Sequence, residues 1–481
     1  MISILQYPQI LHPVNSVNGI PFIVSSTLTS DTNFHFVFDL YVQSPSLGTT
    51  GGTFTKIHRA KTVPSPVDSY GHYSPAELLK NYISYDVYPY ITSPTANTNS
   101  IRWYNIIYGE YFSTNQSFSA TSNNGGFLRI TFPSLSGVSV NDEVQIVMDS
   151  GTENSQYSGV WTATGVSSTI LDLNCPYGNT PTTTESGYLK TITHLQANLS
   201  GYAAYNGTKQ YIDQGTNFSN RFKMTGTSSQ WLTNYNYTTQ PYRIGNDEAA
   251  TLSFFQYNNS ISHYRVLTYS GATNIGDFLI VINSSFSIRK DIPSGSWNLR
   301  QITNLNDISG LVENVFVDGI TSYSIQLYNG LTPVSKIVNY EVICTNSRFG
   351  NIRFCFVNKN GGIDYYSFNM KSILSNKMKR EVIDKTISDT YLIGDRGETV
   401  IGIDTDSYLE VNSNWVKDNE SVLIREMINS PEIYFMSTGE MLLYPVTITN
   451  VDFIQKNKTN NNLFNYTLKM KYSYPNINQG N

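Results

Sequence analysis

The chain has 481 residues, enough at roughly 100–200 residues per domain for about three domains. Hydrophobic residues make up 40 % but charged ones only 14 %, with 35 Tyr, 33 Gly, 18 Pro and a net charge of -5, against about 25 % charged in a typical soluble domain. That balance excludes general nucleic-acid binding, which needs clustered Lys and Arg to release counterions.

No apolar run approaches the roughly 18 residues of a membrane span; the best, Phe278–Ile282, is strand-length. Met1-Ile2-Ser3-Ile4 lacks a basic n-region and a long apolar h-region, so no secretory signal is expected. Cys175, Cys344 and Cys355 are an odd set in a long chain, not a disulfide scaffold. The expectation is a soluble chain made in a reducing compartment. Its Asn, Tyr and Ile excess is also what an AT-rich genome produces without selection.

In chain order, Asn33–Tyr41 alternates with Phe34, Phe36, Phe38 and Leu40 on one face, the pattern of a half-buried strand. Ser74-Pro75-Ala76-Glu77 reads as a capping box opening a short helix with Leu78, Leu79, Tyr82 and Ile83 as its apolar stripe. A strand over Ile101–Ile107 leads to a module of five candidate strands: Phe127–Phe132, Glu143–Met148, Val160–Gly165, Thr169–Asn174 and Tyr188–Ile192. Five short strands in about 80 residues suit a small SH3-like or OB-like barrel. Polar stretches at Ser113–Gly126 and Thr180–Ser186 frame it, and the surrounding domain resumes near His194. A linear string of domains is the alternative.

Beyond residue 240, strands at Phe278–Ile282, Ser322–Leu327, Val338–Cys344, Ile352–Val357 and Ile363–Phe368 predict a second sandwich. A turn around Ser347–Asn351 would join Val338–Cys344 to Ile352–Val357 as a hairpin, placing Cys344 opposite Cys355. A disulfide is open to that pair, while a reducing cytosol favours two half-buried thiols. Asn360-Gly361 reads as a type I′ turn. The last block carries strands at Leu442–Ile448 and Tyr466–Tyr472 and a second helix after Asn414-Trp415-Val416. Asp418 and Glu420 sit near that helix's positive end, Leu423, Ile424, Met427 and Ile428 form its stripe, and Asn429-Ser430-Pro431 stops it.

The predicted fold is therefore all-β: two β-sandwich domains, an inserted SH3/OB-like barrel and two short isolated helices. Residues 1–113 with 194–240 form the first sandwich, 114–193 the barrel, 241–370 the second sandwich, and 371–481 a β-rich region with one helix.

Residue patterns nominate no catalytic, cofactor or metal residue. His12, His35, His58, His72, His194 and His263 stand at no ligand spacing, and HExxH and CxxC are absent. Asp404-Thr405-Asp406 with Glu410 lacks the rest of an EF-hand and reads as a solvated loop. GxSxG, a Walker A loop and GxGxxG are also missing. A carboxylate pair for glycoside hydrolysis is spatial, and 36 scattered acidic residues nominate none. Aromatics crowd Tyr82, Tyr85, Tyr88 and Tyr90, with Tyr235, Tyr237, Tyr365 and Tyr366 further on. Burial in sheet cores accounts for most of them, and the remainder suit interfaces or sugar stacking.

Four stretches in consistent order carry a resemblance. The first runs from Tyr7-Pro8, Pro13-Val14-Asn15 and Val24-Ser25-Ser26 through Phe34–Tyr41 to Asn81-Tyr82-Ile83-Ser84-Tyr85-Asp86. The second is Ala204-Tyr205-Asn206-Gly207 with Tyr211, then Trp231-Leu232-Thr233-Asn234. The third is Phe356-Val357-Asn358-Lys359-Asn360-Gly361-Gly362-Ile363-Asp364-Tyr365-Tyr366-Ser367-Phe368. The fourth comprises Asn414-Trp415, Glu420, Ser430-Pro431-Glu432-Ile433-Tyr434 and Tyr444-Pro445-Val446-Thr447-Ile448.

Together these stretches resemble virion structural proteins of tailed phages of Bacteroidetes hosts, of the crAss-like type. Lys359-Asn360 departs from the Arg- or Leu-containing turn usual before the Gly-Gly. The resemblance implies a tail or tail-ring component of β-sandwiches in a closed cyclic oligomer, located in the virion and assembled in the host cytoplasm. Its expected partners are copies of itself and other tail proteins, and it offers no catalytic residues.

Low charge fits that role, since copies approach one another without like-charge repulsion, and exposed strand edges become usable when a neighbour pairs with them. The alternative function is a host-surface glycan-binding, receptor-binding tail protein, motivated by the aromatics and Asn-rich loops. A polysaccharide-degrading enzyme is third.

Overall fold

The computed structural model describes residues 2–44, 52–149, 155–178, 185–213, 215–235, 237, 240–256, 261–282, 289–302, 306–307, 314–343, 348–387, 389–394, 397–416, 418–437, 439–449, 465–474 and 476–477. The protein is mostly β, in several sheets. Among the described residues there are four helices: Ala76–Lys80, Phe218–Phe222, Ser296–Arg300 and Asp418–Ile428. Phe218–Phe222 and Ser296–Arg300 had no counterpart among the predicted elements, because five residues are too few to display a helical apolar period. Among the described residues no helix is long and apolar enough to cross a membrane. The chain divides into two compact units, residues 1–84 with 101–219 and residues 85–100 with 220–481.

The spine of the first unit is a pair of long antiparallel strands, Ile101–Phe118 and Gly187–Lys209, in register from Gly187 opposite Phe118 to Tyr205 opposite Ile101. His35–Gln43 and Phe54–Thr62 extend the sheet on one side. Glu143–Met148, Gly159–Val166, Ile170–Pro176, Phe127–Thr131 and Ala120–Asn124 extend it on the other. Leu11–Ser16 runs parallel to the end of the second long strand, Leu11 opposite Ala203. A separate three-stranded sheet comprises Ile2–Gln6, Phe22–Ser26 and Gly71–Tyr73.

Two cores form along the spine. One gathers Phe22, Val24, Phe36, Phe38, Leu40, Tyr104 and Ile106. The other gathers Phe118, Leu128, Ile130, Val144, Leu171, Leu189 and Ile192. Both long strands serve both cores, so the anticipated boundaries at 113/114 and 193/194 fall inside strands. Bulges between Leu195 and Asn198 and between Leu199 and Tyr202 change the register where one core gives way to the other.

Two local expectations are corrected in this unit. Val37 and Asp39 are as buried as Phe36 and Phe38, so His35–Gln43 is buried on both faces. It lies between two other strands, and Arg59 and Lys56 cover Asp39, Arg59 with two bonds of 2.6 Å and Lys56 with one of 2.8 Å. The capping box also does not form. Ser74 Oγ accepts the Ile20 N–H at 2.8 Å, Pro75 takes the N-cap, and Glu77 pairs with Lys80. Gly19 makes this possible, because its φ is +59° and a Cβ there would stand 2.2 Å from Ser74 Oγ.

In the second unit a seven-stranded sheet includes, in order, Tyr242–Gly245, Val338–Ile343, Ser322–Asn329, His263–Ser270, Thr273–Val281 and Asn306–Asp307. An eight-stranded sheet runs Ile363–Phe368, Ile352–Val357, Ile433–Ser437, Leu442–Ile448, Thr467–Tyr472, Glu398–Asn412 and Ile373–Asp384, with Asn476–Ile477 beside Glu398–Asn412. Thr251–Phe255, Arg289–Pro293 and Thr95–Ala96 make a third. One core joins them through Trp231, Phe254, Tyr264, Tyr323, Tyr340, Phe354, Ile424 and Met470. Strands on both sides of residue 370 share the eight-stranded sheet.

The predicted hairpin of Val338–Cys344 with Ile352–Val357 does not exist. Val338–Ile343 pairs with Ser322–Asn329 and Tyr242–Gly245, whereas Ile352–Val357 belongs to the other sheet. Cys355 therefore faces Tyr365 and Tyr434 across its strand and is a free, buried thiol; Cys344 lies outside the described residues. The next turn is one residue longer than the predicted two-residue type I′. Gly361 alone has positive φ, and its N–H closes on Asn358 O at 2.9 Å, a type I turn followed by a left-handed glycine. Asn358 Oδ1 holds it, accepting the N–H groups of Asn360 and Gly362 at 2.9 and 3.1 Å.

Candidate interaction surfaces

The feature least expected from composition is an arm. Ile373–Asp384 and Glu398–Asn412 pair from Ile373 opposite Glu410 to Asp384 opposite Glu398. Among the described residues the sheet has no member beyond the first strand, every residue of which is exposed. Thr467–Tyr472 supports the second strand only over 408–412, and Asn476–Ile477 supports it over 404–405. Among the described residues the distal part is thus a two-stranded ribbon, a form of marginal stability by itself.

Period two sorts its side chains. Leu374, Met378 and Val382 share one face with Asn376 and Arg380, opposite Leu409, Thr405 and Val400, while Lys377 opposite Asp406 and Lys379 opposite Asp404 share the other. Asp404-Thr405-Asp406 is accordingly strand, not loop, and Asp406 binds Lys471 at 2.5 Å. Past the paired region Tyr391, Leu392 and Ile393 are 63, 74 and 102 % exposed.

The second unit also contains two buried polar networks. Arg353 Nη1 donates to Glu248 Oε2 at 2.6 Å and to Ser367 Oγ at 2.7 Å, and its Nε donates to Ala249 O at 3.0 Å. Ser367 and Asn351 donate to Glu248 Oε1 at 2.7 and 3.2 Å. Glu248, Arg353 and Ser367 line a cleft of about 100 Å³ together with Arg243, Glu420 and an exposed Trp415.

In the other network Asp364 accepts from Thr233 Oγ1 at 2.5 Å, Asn358 Nδ2 at 2.9 Å and Asn234 N at 3.4 Å. Desolvation raises its pKa to about 6 against those hydrogen bonds, with Glu426 adding a like-charge push. Asn234 Nδ2 reaches Glu426 at 3.0 Å, so one asparagine bridges two carboxylates. Asp364 is 2 % exposed and lines neither described cleft, so this pair fastens the 231–235 segment to the 358–364 turn and holds no ground open to a substrate.

The first unit has a larger cleft, about 330 Å³, lined from the segment 6–21 and the segment 209–215. Parallel pairing of Leu11–Ser16 with Ala203–Lys209 brings these segments together across some 200 residues of sequence. Tyr7 and Tyr211 line it and are 57 and 74 % exposed. Gln6, Gln9, His12, Ser16, Asn18, Lys209 and Gln210 supply polar groups. Burial lowers the His12 pKa to about 4, so the ring is neutral at neutral pH. Its Nδ1 lies 2.8 Å from Pro13 O, which fixes the proton there and leaves Nε2 an acceptor.

Of the tyrosines singled out by crowding, Tyr235, Tyr237 and Tyr365 are core and Tyr366 is half-buried, while Tyr82 and Tyr88 are exposed. Tyr7, Tyr211 and Trp415 were not singled out as surface aromatics. Each stands apart from other aromatics in sequence, so no local crowding marks it. His194 is held by Asp142 Oδ1 at 2.5 Å, a hydrogen bond that raises its pKa. Burial pushes the thiols of Cys175 and Cys355 up to about 11 and about 12, which makes them poor nucleophiles. Among the described residues no group of three or more His, Cys, Asp or Glu could hold a metal ion. No protein-family model matches the chain and no curated protein matches it.

Proposed function

We propose that this chain is a non-enzymatic structural protein of a tailed-phage virion, a tail or tail-ring component that assembles into a cyclic oligomer and contacts neighbouring tail proteins. The finer architecture belongs to the same reading: two-layer β-sandwiches, with residues 114–193 as a small barrel inserted in the first. The observation that carries it is the arm. Among the described residues its edge strand has no partner on the outer side, and such an edge with apolar side chains in water is an aggregation liability for a monomer and a docking element for a subunit with a fixed neighbour. Low charge adds support, since 14 % charged residues leave little like-charge repulsion between copies. The four-part resemblance to phage virion proteins supplies the setting.

The test uses the full chain. Light scattering on the purified wild type is expected to give a closed assembly of several copies. The Met378→Lys/Val382→Lys variant should run as a monomer with an unchanged circular dichroism spectrum, because both side chains are exposed in the subunit. A wild type that stays monomeric at every concentration and is missing from purified particles would sink the proposal.

A further inference from the structure

We infer that the cleft of the first unit is a saccharide-binding site, formed by Tyr7 and Tyr211 with the amides and hydroxyl of Gln6, Ser16, Asn18 and Gln210. Three observations carry this. The volume, about 330 Å³, lies within the range of small-molecule clefts, about 300–1,000 Å³. Two tyrosines line it while remaining more than half exposed, the arrangement that offers an aromatic face to the C–H side of a pyranose ring. The polar lining is neutral apart from Lys209 and is rich in groups that both donate and accept, which suits a ligand made of hydroxyls.

Two details sharpen the chemistry. His12 also lines the cleft, and in its neutral form Nε2 is the ring atom able to accept from a hydroxyl, whereas an imidazolium could not. Among the described residues no Asp or Glu lines the cleft, and nearby Asp213 accepts the Gln210 N–H at 3.1 Å within its own turn. Without a carboxylate pair the site has no means of general-acid hydrolysis, so it binds a sugar without cleaving it. Ring assembly is not required for this inference, because every lining residue belongs to one unit of one chain.

Saturation-transfer NMR on the full chain tests it with the methyl glycosides of glucose, galactose, mannose, rhamnose and N-acetylglucosamine. At least one is expected to receive transfer, with affinity in the millimolar range or tighter. Tyr211→Ala should weaken that binding at least about tenfold, and Tyr7→Ala likewise. Tyr88→Ala, an exposed tyrosine of the other unit, should leave it unchanged. Folding is checked by an unchanged amide spectrum, and oligomeric state is read on the same samples, so failure here is separable from failure of the assembly proposal. Absence of transfer to all five glycosides, binding unaffected by both cleft variants, or release of reducing sugar from an oligosaccharide would each overturn the assignment.

Discussion

Asp364 and His12 are both buried with neutral hydrogen-bond partners, and burial opposes the charged form of each, so they move stability in opposite directions with pH. For Asp364 the folded pKa of about 6 lies above its ordinary 3.8. The native state holds a proton that the unfolded chain has lost, so stability falls as pH rises through about 4 to 6, by about 3 kcal/mol in all. Asp364→Asn should remove that slope, whatever its stability at a single pH, and denaturant midpoints measured across the window check it. For His12 the folded pKa of about 4 lies below its ordinary 6.5. The unfolded chain then binds the extra proton, and stability is lost as pH falls from about 6.5 to 4, again by about 3 kcal/mol. His12→Asn, which keeps a donor for Pro13 O, should remove that contribution, read as a change in pH slope from the wild type, where Asp364 pulls the other way. A variant that keeps the wild-type limb would show that His12 is not its source.

Among the elements, turns are held by single residues. A Cβ on Gly362 would fall 1.9 Å from Leu232 O, so the turn after Ile352–Val357 packs backbone against backbone. Gly362→Ala should therefore cost several times the roughly 1 kcal/mol of an ordinary helix or strand glycine change, read as a drop in thermal midpoint. The helix Asp418–Ile428 shows how a legible pattern becomes packing. Its Leu423, Ile424 and Met427 were predicted as an apolar stripe and are 4, 0 and 0 % exposed. The arm shows the reverse case, since Leu374, Met378 and Val382 share a face with Asn376 and Arg380, which is not the unbroken alternation of a core-facing strand. Only its position at the end of a sheet leaves Met378 in water.

For the whole molecule, the scarcity of charge bears on assembly. Edge pairing through backbone hydrogen bonds and apolar side chains is weakly screened, whereas surface ion pairs fade above about 0.15 M salt. The proposed oligomer should therefore survive a rise from about 0.1 to 1 M salt, with light scattering as the readout. Dissociation over that range would place the interface on charged groups, which on the arm are Lys377, Lys379, Arg380, Glu381 and Asp384, and not on its strand edge and apolar side chains.

Much of the secondary structure was legible without coordinates. Glu143–Met148, Ile352–Val357, Ile363–Phe368 and Leu442–Ile448 have the bounds that alternation and turn residues predict, because side-chain period and turn chemistry are local properties of the chain. Partnership is not local. Whether Val338–Ile343 pairs with the strand after it or with one before it depends on which sheet buries more apolar surface, and no nearby residue encodes that choice. The same holds for the charged residue inside His35–Gln43, which is tolerable only because Arg59 and Lys56 arrive on the neighbouring strand. It holds most for the cleft, where Tyr7 and Tyr211 meet through a parallel pairing that closes a loop of some 200 residues. Sequence alone therefore determined the class and most of the strands, and the tertiary pairing decided which side chains face each other, since contacts between distant segments exist only once the whole sheet has formed.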